Sequence, residues 1–270
     1  MKGKDLVSII MLSKDDGRYV RETVESVLAQ TYMNWEIVFM DDSSQDDTIP
    51  QMMELMDEDV RRQRAAKVKP VSRIHVSRNV DVKGRGVSTN SALRDARGRW
   101  IAFLNPGDLW EPTKLERQIT FMEDHGYAFS YTKFELMDDK GRDRGIVIGG
   151  REHITYQDMQ ECCWPGYLTV MYDASVVGKM RVRNLKKNND YALWLNICEK
   201  ADCHLLKECL AKHRTPWGLL GKLVLTDKMG WRYDCYRIEE DLGPVKASLY
   251  TIRNGFYGLV KWLKYVERAQ

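Results

Sequence analysis

The chain has 270 residues, of which 43% are hydrophobic and 30% are charged, and its formal net charge is +3. This composition excludes an intrinsically disordered chain, and so small a charge gives no argument for a nucleic-acid partner. No stretch approaches the ~20 continuous apolar residues of a membrane-spanning helix, and the first apolar run is too short for a signal peptide. We therefore expect a cytoplasmic protein. Its six cysteines are therefore expected to be reduced and mostly buried, and their spacing forms no paired C-x-x-C metal clamps.

The first part of the chain alternates strand and helix patterns. Residues 6–12 and 35–40 are apolar runs typical of strands that are buried on both faces of a parallel sheet. Between them, residues 18–30 carry the apolar face of a helix. The sequence Asp46-Asp47-Thr48 predicts the start of a second helix, because short polar side chains cap helix N-termini. The basic segment 61–69 shows no periodicity and predicts a surface loop.

A glycine-rich segment and a buried strand come next. Residues 79–90 contain Gly84 and Gly86 and lead into a helix predicted over 88–96, so that backbone and a helix N-terminus can approach a ligand closely. Residues 100–104 form an apolar strand that ends at the polar turn Asn105-Pro106-Gly107-Asp108. Open α/β sheets bind their ligands at the carboxyl ends of strands, and we therefore expect this turn to face a ligand.

From Tyr127 the pattern changes to a mixed one. Residues 127–134 and 144–148 alternate like antiparallel strands, and another strand is predicted over 168–172. Asn188-Asn189-Asp190 precedes a helix, and helix-like segments follow residue 210. The predicted organisation is a ligand-binding half at 1–125, a second half at 126–215 that covers the same face of the sheet, and a helical extension at 216–270.

Three polar sites lie at the carboxyl ends of predicted strands or face them. They are Asp41-Asp42, the turn at residues 105–108, and Asp190 from the second half. Carboxylates that converge with glycine turns indicate a nucleotide and a divalent cation, because such cations prefer hard oxygen ligands.

Several motifs occur together and in register. They read V-S-I-I-M-L at 7–12, S-V-L-A-Q-T-Y-x-N-W-E-I-V-x-x-D-D-S-S-x-D-D-T at 26–48, G-V-S-T-N-S-A-L-x-x-A-x-G-R-W-I-A-F-L at 86–104, D-L-W-E-P-T-K-L-E-x-Q at 108–118, T-V-M-Y-D at 169–173 and D-Y-A-L-W-L at 190–195. Jointly they resemble the family 2 glycosyltransferases of GT-A fold that assemble bacterial capsular and other cell-surface polysaccharides. The resemblance implies a Rossmann-like α/β fold: a mixed, mainly parallel sheet flanked by helices, with an acceptor-side second half.

The resemblance also implies roles for individual residues. Asp42 would bind the nucleotide base, Asp41 would orient its loop, and Asp190 would be the general base that takes a proton from the acceptor hydroxyl. Attack in line with the leaving diphosphate would invert the anomeric configuration. From the residues alone, Asp190 also fits a helix N-cap. The predicted nucleotide-sugar contacts are Ser13, Asp15, Asp41, Asp42, Gly86, Asn105 and Gly107.

The turn at residues 105–108 departs from the family pattern, D-x-D-D, and keeps one carboxylate, Asp108. Three outcomes stay open. Asp108 binds Mn²⁺ or Mg²⁺ mainly together with the nucleotide. Alternatively, basic residues such as Arg78, Lys83 or Arg85 neutralise the leaving phosphate without a metal. In the third, the chain is a catalytically silent relative that binds a nucleotide or glycan, or acts as a scaffold.

The expected enzyme is an inverting, non-processive glycosyltransferase with a nucleotide-sugar donor, because the Q-x-x-R-W signature of processive synthases is absent at the corresponding place. We expect UDP as the nucleotide, a glycan or lipid-linked acceptor, and His213-Arg214 near the diphosphate. The basic, aromatic segment 246–266 is compatible with an amphipathic helix on the inner face of the cytoplasmic membrane, and equally with a packing helix or dimer contact. A nucleotidyltransferase lacks support, because its glycine-rich arginine-lysine signature is missing near the N-terminus.

Overall fold

The computed structural model describes residues 5–215 and 226–268, where a sheet carries helices on both faces. Its strands are β1 Val7–Ser13, β2 Trp35–Asp41, β3 Ile74–Arg78, β4 Trp100–Phe103, β5 Leu109–Trp110, β6 Phe129–Met137, β7 Asp143–Ile148, β8 His153–Ile154, β9 Met171–Asp173, β10 Cys203–Arg214 and β11 Val266–Arg268. Its α-helices are α1 Gly17–Leu28, α2 Thr48–Ala65, α3 Arg85–Asp95, α4 Lys114–His125, α5 Tyr156–Glu161, α6 Ala174–Val177, α7 Asn189–Cys198, α8 Thr226–Ile238 and α9 Pro244–Tyr265, and a 3₁₀ turn covers Tyr167–Thr169.

The strand order places the ends of β1, β2 and β4 side by side. Along the sheet the order is β3-β2-β1-β4-β9-β6-β7-β11, and β10 runs beside β6. Strands β3, β2, β1 and β4 are mutually parallel, whereas β9 is antiparallel to both β4 and β6. The chain continues from β1 to β2 on one side of β1 and later returns to β4 on its other side. At such a point, open α/β sheets form a crevice at the carboxyl ends of their strands.

Alternate residues of β1 pack into two separate cores. Ile9 and Met11 join a cluster with α1, α2 and α4, whereas Ile10 and Leu12 join a cluster that includes α3 and α7. Because side chains on a strand point to opposite faces in turn, a strand of unbroken apolar residues is buried on both sides. The predicted mixed, mainly parallel sheet flanked by helices is therefore confirmed.

The prediction of a surface loop over residues 61–69 was wrong for its first part. Helix α2 continues to Ala65 without interruption, and Arg62 forms an i,i+4 ion pair with Glu58 at 3.7 Å. Arginine and glutamine have good helix propensity, and no Gly or Pro interrupts the segment, so that a purely polar turn of helix can form. The helix ends before Lys67, which has a left-handed φ of 58°.

Two predictions in the second half were also wrong in part. Residues 211–214 belong to β10 instead of a helical segment, because β10 stays paired with β6 up to Arg214 opposite Met137. The strand predicted over 168–172 begins only at Met171, since Tyr167–Thr169 forms the 3₁₀ turn. The division of the chain at residues 125 and 215 stays a prediction, and residues 216–225 of the predicted extension lie outside the described residues.

Candidate active site

The loops after β1 and β2 are fastened to each other at the carboxyl end of the sheet. Ser13 Oγ donates to Asp16 Oδ2 at 2.9 Å, which closes the β1 loop on itself. Asp15 N–H donates to Ser44 Oγ at 2.8 Å, and its own Oδ1 accepts from Gln45 N–H at 2.7 Å. Ser13 and Asp15, two of the predicted nucleotide-sugar contacts, thus belong to the hydrogen-bonded loops at this end of the sheet.

The two acids at the end of β2 occupy different environments. Asp41 is fully buried and accepts hydrogen bonds from the Ser44 N–H and hydroxyl groups, while Arg78 Nε lies 3.3 Å from its Oδ2. Its carboxylate therefore holds the β2 loop in place. Asp42 is half-buried and lies closer to the face where a ligand can approach.

Asp42 is bound by the glycine-rich segment before α3. Its Oδ1 accepts from Asn79 Nδ2 at 2.8 Å and from Lys83 N–H at 2.9 Å, and its Oδ2 accepts from Gly84 N–H at 3.0 Å. Burial by itself acts to raise the pKa of Asp42, but the hydrogen bonds from Lys83, Asn79 and Gly84 outweigh it and lower the pKa below its usual value. Asp42 is therefore a carboxylate at neutral pH.

The same segment brings the first half of the chain against the second. Gly84 has a φ of 87°, a conformation that favours glycine. A Cβ atom on Gly86 would lie 2.6 Å from Asn189 Oδ1 and 2.9 Å from the Cα atom of Asn184, and any side chain there would separate the two segments. Gly86 thus allows the N-terminus of α3 to pack directly against the start of α7.

The turn at residues 105–108 is held from both sides. Asn105 Oδ1 accepts a long hydrogen bond from Leu12 N–H at 3.4 Å. Gly107, with a φ of 100°, donates its N–H to Thr23 Oγ1 of α1 at 3.0 Å. Its carbonyl oxygen accepts from Arg214 Nε of β10 at 2.9 Å.

Asp108 links this turn to the end of β10. Its carboxylate is almost buried, and Oδ1 accepts from His213 Nδ1 at 2.8 Å and from Arg214 N–H at 3.1 Å. Burial acts to lower the pKa of His213, but the negative charge and hydrogen bond of Asp108 raise it above its usual value. The basic pair that the sequence placed near the diphosphate therefore contacts the turn directly.

The oxygen atoms at Asp108 fit a metal ion whose other ligands come mostly from the bound substrate and from water. Both hydrogen bonds fall on Oδ1, and no hydrogen bond from residues 5–215 or 226–268 reaches Oδ2. The same residues hold no group of three or more His, Cys, Asp or Glu side chains that could bind one metal ion. A divalent ion would take a single carboxylate oxygen here and would depend on a bound diphosphate and water for the remaining ligands.

Asp190 lies in the first turn of α7 and is not its N-cap. The cap position is Asn188, with a left-handed φ of 62° and no side-chain capping hydrogen bond. The carboxylate of Asp190 is partly exposed, and within the described part of the chain neither a hydrogen bond nor an ion pair reaches it. The N-cap alternative is therefore wrong, and the carboxylate keeps all of its lone pairs for another partner.

Arg85 and Tyr167 lie near Asp190 and were not singled out together by sequence reasoning. The Arg85 guanidinium lies 5.0 Å from the centre of the Tyr167 ring. The Tyr167 hydroxyl is buried, and no hydrogen bond from the described residues reaches it. Burial raises the pKa of Tyr167, the charge of Arg85 opposes this, and the nearby carboxylates of Asp190 and Asp108 add to it. The Tyr167 ring packs against Phe103 of β4 and Trp194 of α7, with ring centroids 5.3 and 6.1 Å away.

Comparison with known proteins identifies the chain. The model of the family described as "Glycosyl transferase family 2" matches residues 8–182. The chain belongs to glycosyl transferase family 2. It is 36% identical over 214 residues to the putative teichuronic acid biosynthesis glycosyltransferase TuaG of Bacillus subtilis, covering 78% of this chain and 79% of that protein.

A second family 2 relative has a more specific name. The chain is 34% identical over 195 residues to WfgD of Escherichia coli, a UDP-Glc:alpha-D-GlcNAc-diphosphoundecaprenol beta-1,3-glucosyltransferase, covering 71% of this chain and 69% of that protein. Together with the family match, these relatives confirm the prediction of a glycosyltransferase.

Solved structures agree with the fold. Staphylococcus aureus TarS in complex with UDP-GlcNAc superposes with a TM-score of 0.65 at 18% identity, covering 93% of this chain and 70% of that one. The mannosyltransferase PcManGT of Pyrobaculum calidifontis, in complex with GDP-Man and Mn²⁺, superposes with a TM-score of 0.57 at 14% identity, covering 92% and 69%. The predicted GT-A fold of this family 2 enzyme is confirmed.

Within this family 2 fold, the most prominent cavity and the predicted site residues lie at opposite ends of the sheet. A cavity of about 750 Å³ lies at the opposite end of β1 and β2, by Leu6, Trp35 and Arg97, and none of the predicted site residues lines it. The predicted residues instead gather at the carboxyl ends of β1, β2 and β4 and at the facing end of α7. Their individual roles stay predictions. Tyr167 was missed because it follows a Pro-Gly turn with no periodic pattern around it.

Proposed function

We propose that this family 2 enzyme transfers a sugar from a UDP-linked donor to a lipid-linked glycan acceptor during cell-surface polysaccharide synthesis. We further propose that it inverts the anomeric configuration and adds one sugar per binding event. The names of TuaG and WfgD support this assignment, since the first is a putative teichuronic acid biosynthesis enzyme and the second uses UDP-Glc and a diphosphoundecaprenol acceptor.

We propose that the donor nucleotide sugar binds to the loops that contain Asp42 and Asp108, which we call the donor side of the site. Asp42 and the loop with Ser13 and Asp15 would contact the nucleoside. The diphosphate would lie between the turn at residues 105–108 and Arg85, the first residue of α3, where helix N–H groups and a guanidinium favour negative charge. Arg85 makes no ion pair with the described residues, and its positive charge is thus available to the leaving diphosphate.

A divalent ion bound at this place would supply positive charge to the leaving diphosphate. Asp108 would hold it through the free Oδ2, and the fixed position of that carboxylate against His213 and Arg214 N–H would decide where the ion lies.

Asp190 is proposed as the general base on the acceptor side of the site. The observation that carries this proposal is its unpartnered carboxylate at the start of α7, packed against the start of α3 through Gly86 and Asn189. An acceptor hydroxyl placed between them would lose its proton to Asp190 as its oxygen attacks the anomeric carbon, opposite to the leaving diphosphate.

The substitution Asp190→Asn tests the proposal. We expect kcat for transfer to fall ~10²- to 10⁴-fold, because general-base catalysis contributes about this factor, while calorimetry shows unchanged UDP affinity in the presence of Mn²⁺. Glu199→Gln, an exposed carboxylate at the other end of α7, is the matched control. Undiminished transfer by Asp190→Asn would contradict the assignment of the base, and an absence of UDP binding by the wild type would contradict the assignment of the donor.

A further inference from the structure

Helix α9, Pro244–Tyr265, displays a row of large apolar side chains to solvent. Fifteen large apolar side chains are exposed among the described residues, and seven of them lie on this helix. Such a concentration on one element marks an interaction surface, whereas scattered exposed apolar residues need no explanation. We call this row the α9 stripe, and it consists of Val245, Leu249, Ile252, Phe256, Leu259, Trp262 and Leu263.

The opposite face of α9 is fixed against the domain. Ala247, Thr251 and Asn254 are buried, and their spacing of three and four residues places them on one side of the helix. Asn254 Nδ2 donates to Tyr191 Oη at 3.1 Å, and Lys261 Nζ donates to the Trp164 carbonyl oxygen at 2.6 Å. The helix therefore cannot rotate to bury the stripe, and the packing alternative accounts for only one of its faces.

The charge of α9 is of one sign. The helix contains four basic residues and no Asp or Glu. Lys261 is directed into the domain, but Lys246 and Lys264 are exposed and Arg253 lies over the Tyr250 ring at 4.6 Å. At ~100° per residue, positions 246, 253 and 264 fall on the same side of the stripe, about a quarter turn from its centre. A row of cations thus borders the apolar row along one edge.

This charge pattern disfavours a second copy of the chain as the occupant. The spacing of the stripe alone would allow two helices to pair. In an antiparallel pair, however, Lys246 and Arg253 would face the same cations of the other copy, and in a parallel pair Arg253 would face the uncharged Ser248. Neither arrangement compensates the positive charge, whereas an anionic lipid surface compensates it along the whole edge.

We propose that α9 lies in the headgroup region of an anionic bilayer, with its stripe inserted between the acyl chains and its exposed cations on the lipid phosphates. Apolar residues with a Trp on one face and lysines beside them are the composition of helices that lie in the membrane interface. No helix within the described residues is long and apolar enough to cross a membrane. The proposed contact between α9 and the bilayer surface does not require a membrane-spanning helix.

The proposal deepens the proposed function, because α9 holds the acceptor side of the site. Tyr191 directly follows Asp190, and its hydroxyl accepts the hydrogen bond from Asn254 on the packed face of α9. A bilayer under the stripe would therefore lie on the side of the molecule from which a lipid-linked acceptor must come. This consequence rests on the proposed function, but binding of α9 to lipid does not.

The test is sedimentation of the full chain with vesicles, in the absence of donor and acceptor. The vesicles contain equimolar phosphatidylglycerol and phosphatidylcholine, or phosphatidylcholine alone. Ile252→Glu introduces a charge into the stripe, and Val176→Glu on α6 is its matched control, because both side chains are 62% exposed. We expect the wild type and Val176→Glu to bind the anionic vesicles equally, and Ile252→Glu to bind them at least about tenfold more weakly.

The exposed lysines give a second comparison. Lys246→Gln and Lys264→Gln should each weaken binding to the anionic vesicles roughly fivefold and change little with phosphatidylcholine alone. Equal binding of the anionic vesicles by Ile252→Glu and Val176→Glu overturns the proposal. A wild type that does not bind vesicles, and that sedimentation velocity shows as a dimer dissociated by Ile252→Glu, also overturns it. A protein that binds the vesicles but transfers no sugar to a water-soluble acceptor would contradict the proposed function and leave the membrane proposal intact.

Discussion

The donor side and the acceptor side of the site hold their carboxylates in opposite ways. Asp42 accepts three hydrogen bonds and Asp108 accepts two, all from groups that connect distant parts of the chain. Asp190 accepts none from the described residues. Hydrogen bonds that a carboxylate accepts from distant segments stabilise the fold, whereas a carboxylate that accepts none keeps its lone pairs for a substrate proton. The comparison predicts that stability and proton transfer depend on different acids.

The substitution with the largest expected effect on stability is Asp108→Ala. It removes the acceptor for His213 Nδ1 and Arg214 N–H, and the unfolding free energy should fall by roughly 1–3 kcal/mol. Asp190→Ala should change it by less than about 1 kcal/mol, since no hydrogen bond or ion pair with the described residues is lost and only the favourable charge in the first turn of α7 is removed. Urea denaturation of both variants measures the difference. Equal losses of stability would remove the distinction between the two sides.

A second substitution tests the acceptor side without touching a carboxylate. The Tyr167 hydroxyl is buried and receives no hydrogen bond from the residues that the structure describes, and we therefore expect Tyr167→Phe to leave the unfolding free energy unchanged or to raise it by up to about 1 kcal/mol. If the hydroxyl instead donates to a bound substrate between Arg85 and Asp190, kcat/KM for transfer should fall roughly tenfold, the worth of one hydrogen bond.

The neighbouring Tyr172 provides the control for this substitution. Its hydroxyl is also buried, with no hydrogen-bond partner in the described part of the chain. Both rings pack against Phe103, with centroids at 5.3 Å for Tyr167 and 6.2 Å for Tyr172. Tyr172→Phe should match the stability change and leave kcat/KM at the wild-type value. The same drop in both variants would show that the effect of Tyr167 comes from packing alone.

Local sequence patterns predicted the fold and the position of the site, but not the contacts that build it. The apolar runs around β1, β2 and β4, each followed by polar residues, were enough to place Asp42 and Asp108 at one edge of a parallel sheet. The hydrogen bond between Asp108 and His213 joins residues 105 positions apart. No periodicity within a segment reports such a pair, because it depends on how β10 runs beside β6.

The same limit explains the error at α2 and the alternatives left open at α9. The basic segment after Glu58 was read as a loop for lack of an apolar face, yet helix propensity and one ion pair extend α2 to Ala65. For α9, the sequence offered packing or membrane contact as alternatives. Only the position of Asn254 against Tyr191 shows which face is packed, and therefore which apolar residues are left for another partner.

The last prediction concerns Lys114, a buried cation with no acid partner among residues 5–215 and 226–268. It begins α4, and its ammonium lies 4.0 Å from the centre of the Trp110 ring and makes no hydrogen bond with the described residues. Burial lowers the pKa of Lys114 to about 7. The unfolded chain keeps this proton up to the ordinary pKa, ~10.4, so that the unfolded state binds more protons than the folded state between about pH 7 and 10. The unfolding free energy should therefore rise with pH across this range.

Lys114→Met should abolish that rise and stabilise the protein near pH 7 by on the order of 1 kcal/mol, since a methionine fills a similar volume without a charge to desolvate. The Trp110 ring favours the charged ammonium and keeps the gain small. Urea denaturation of both proteins at several pH values between 7 and 10 measures the effect, with the exposed Lys69→Met as control. A wild-type stability that stays level over this range would mean that the buried ammonium has found a partner, and the same slope in Lys114→Met would assign the rise to another group.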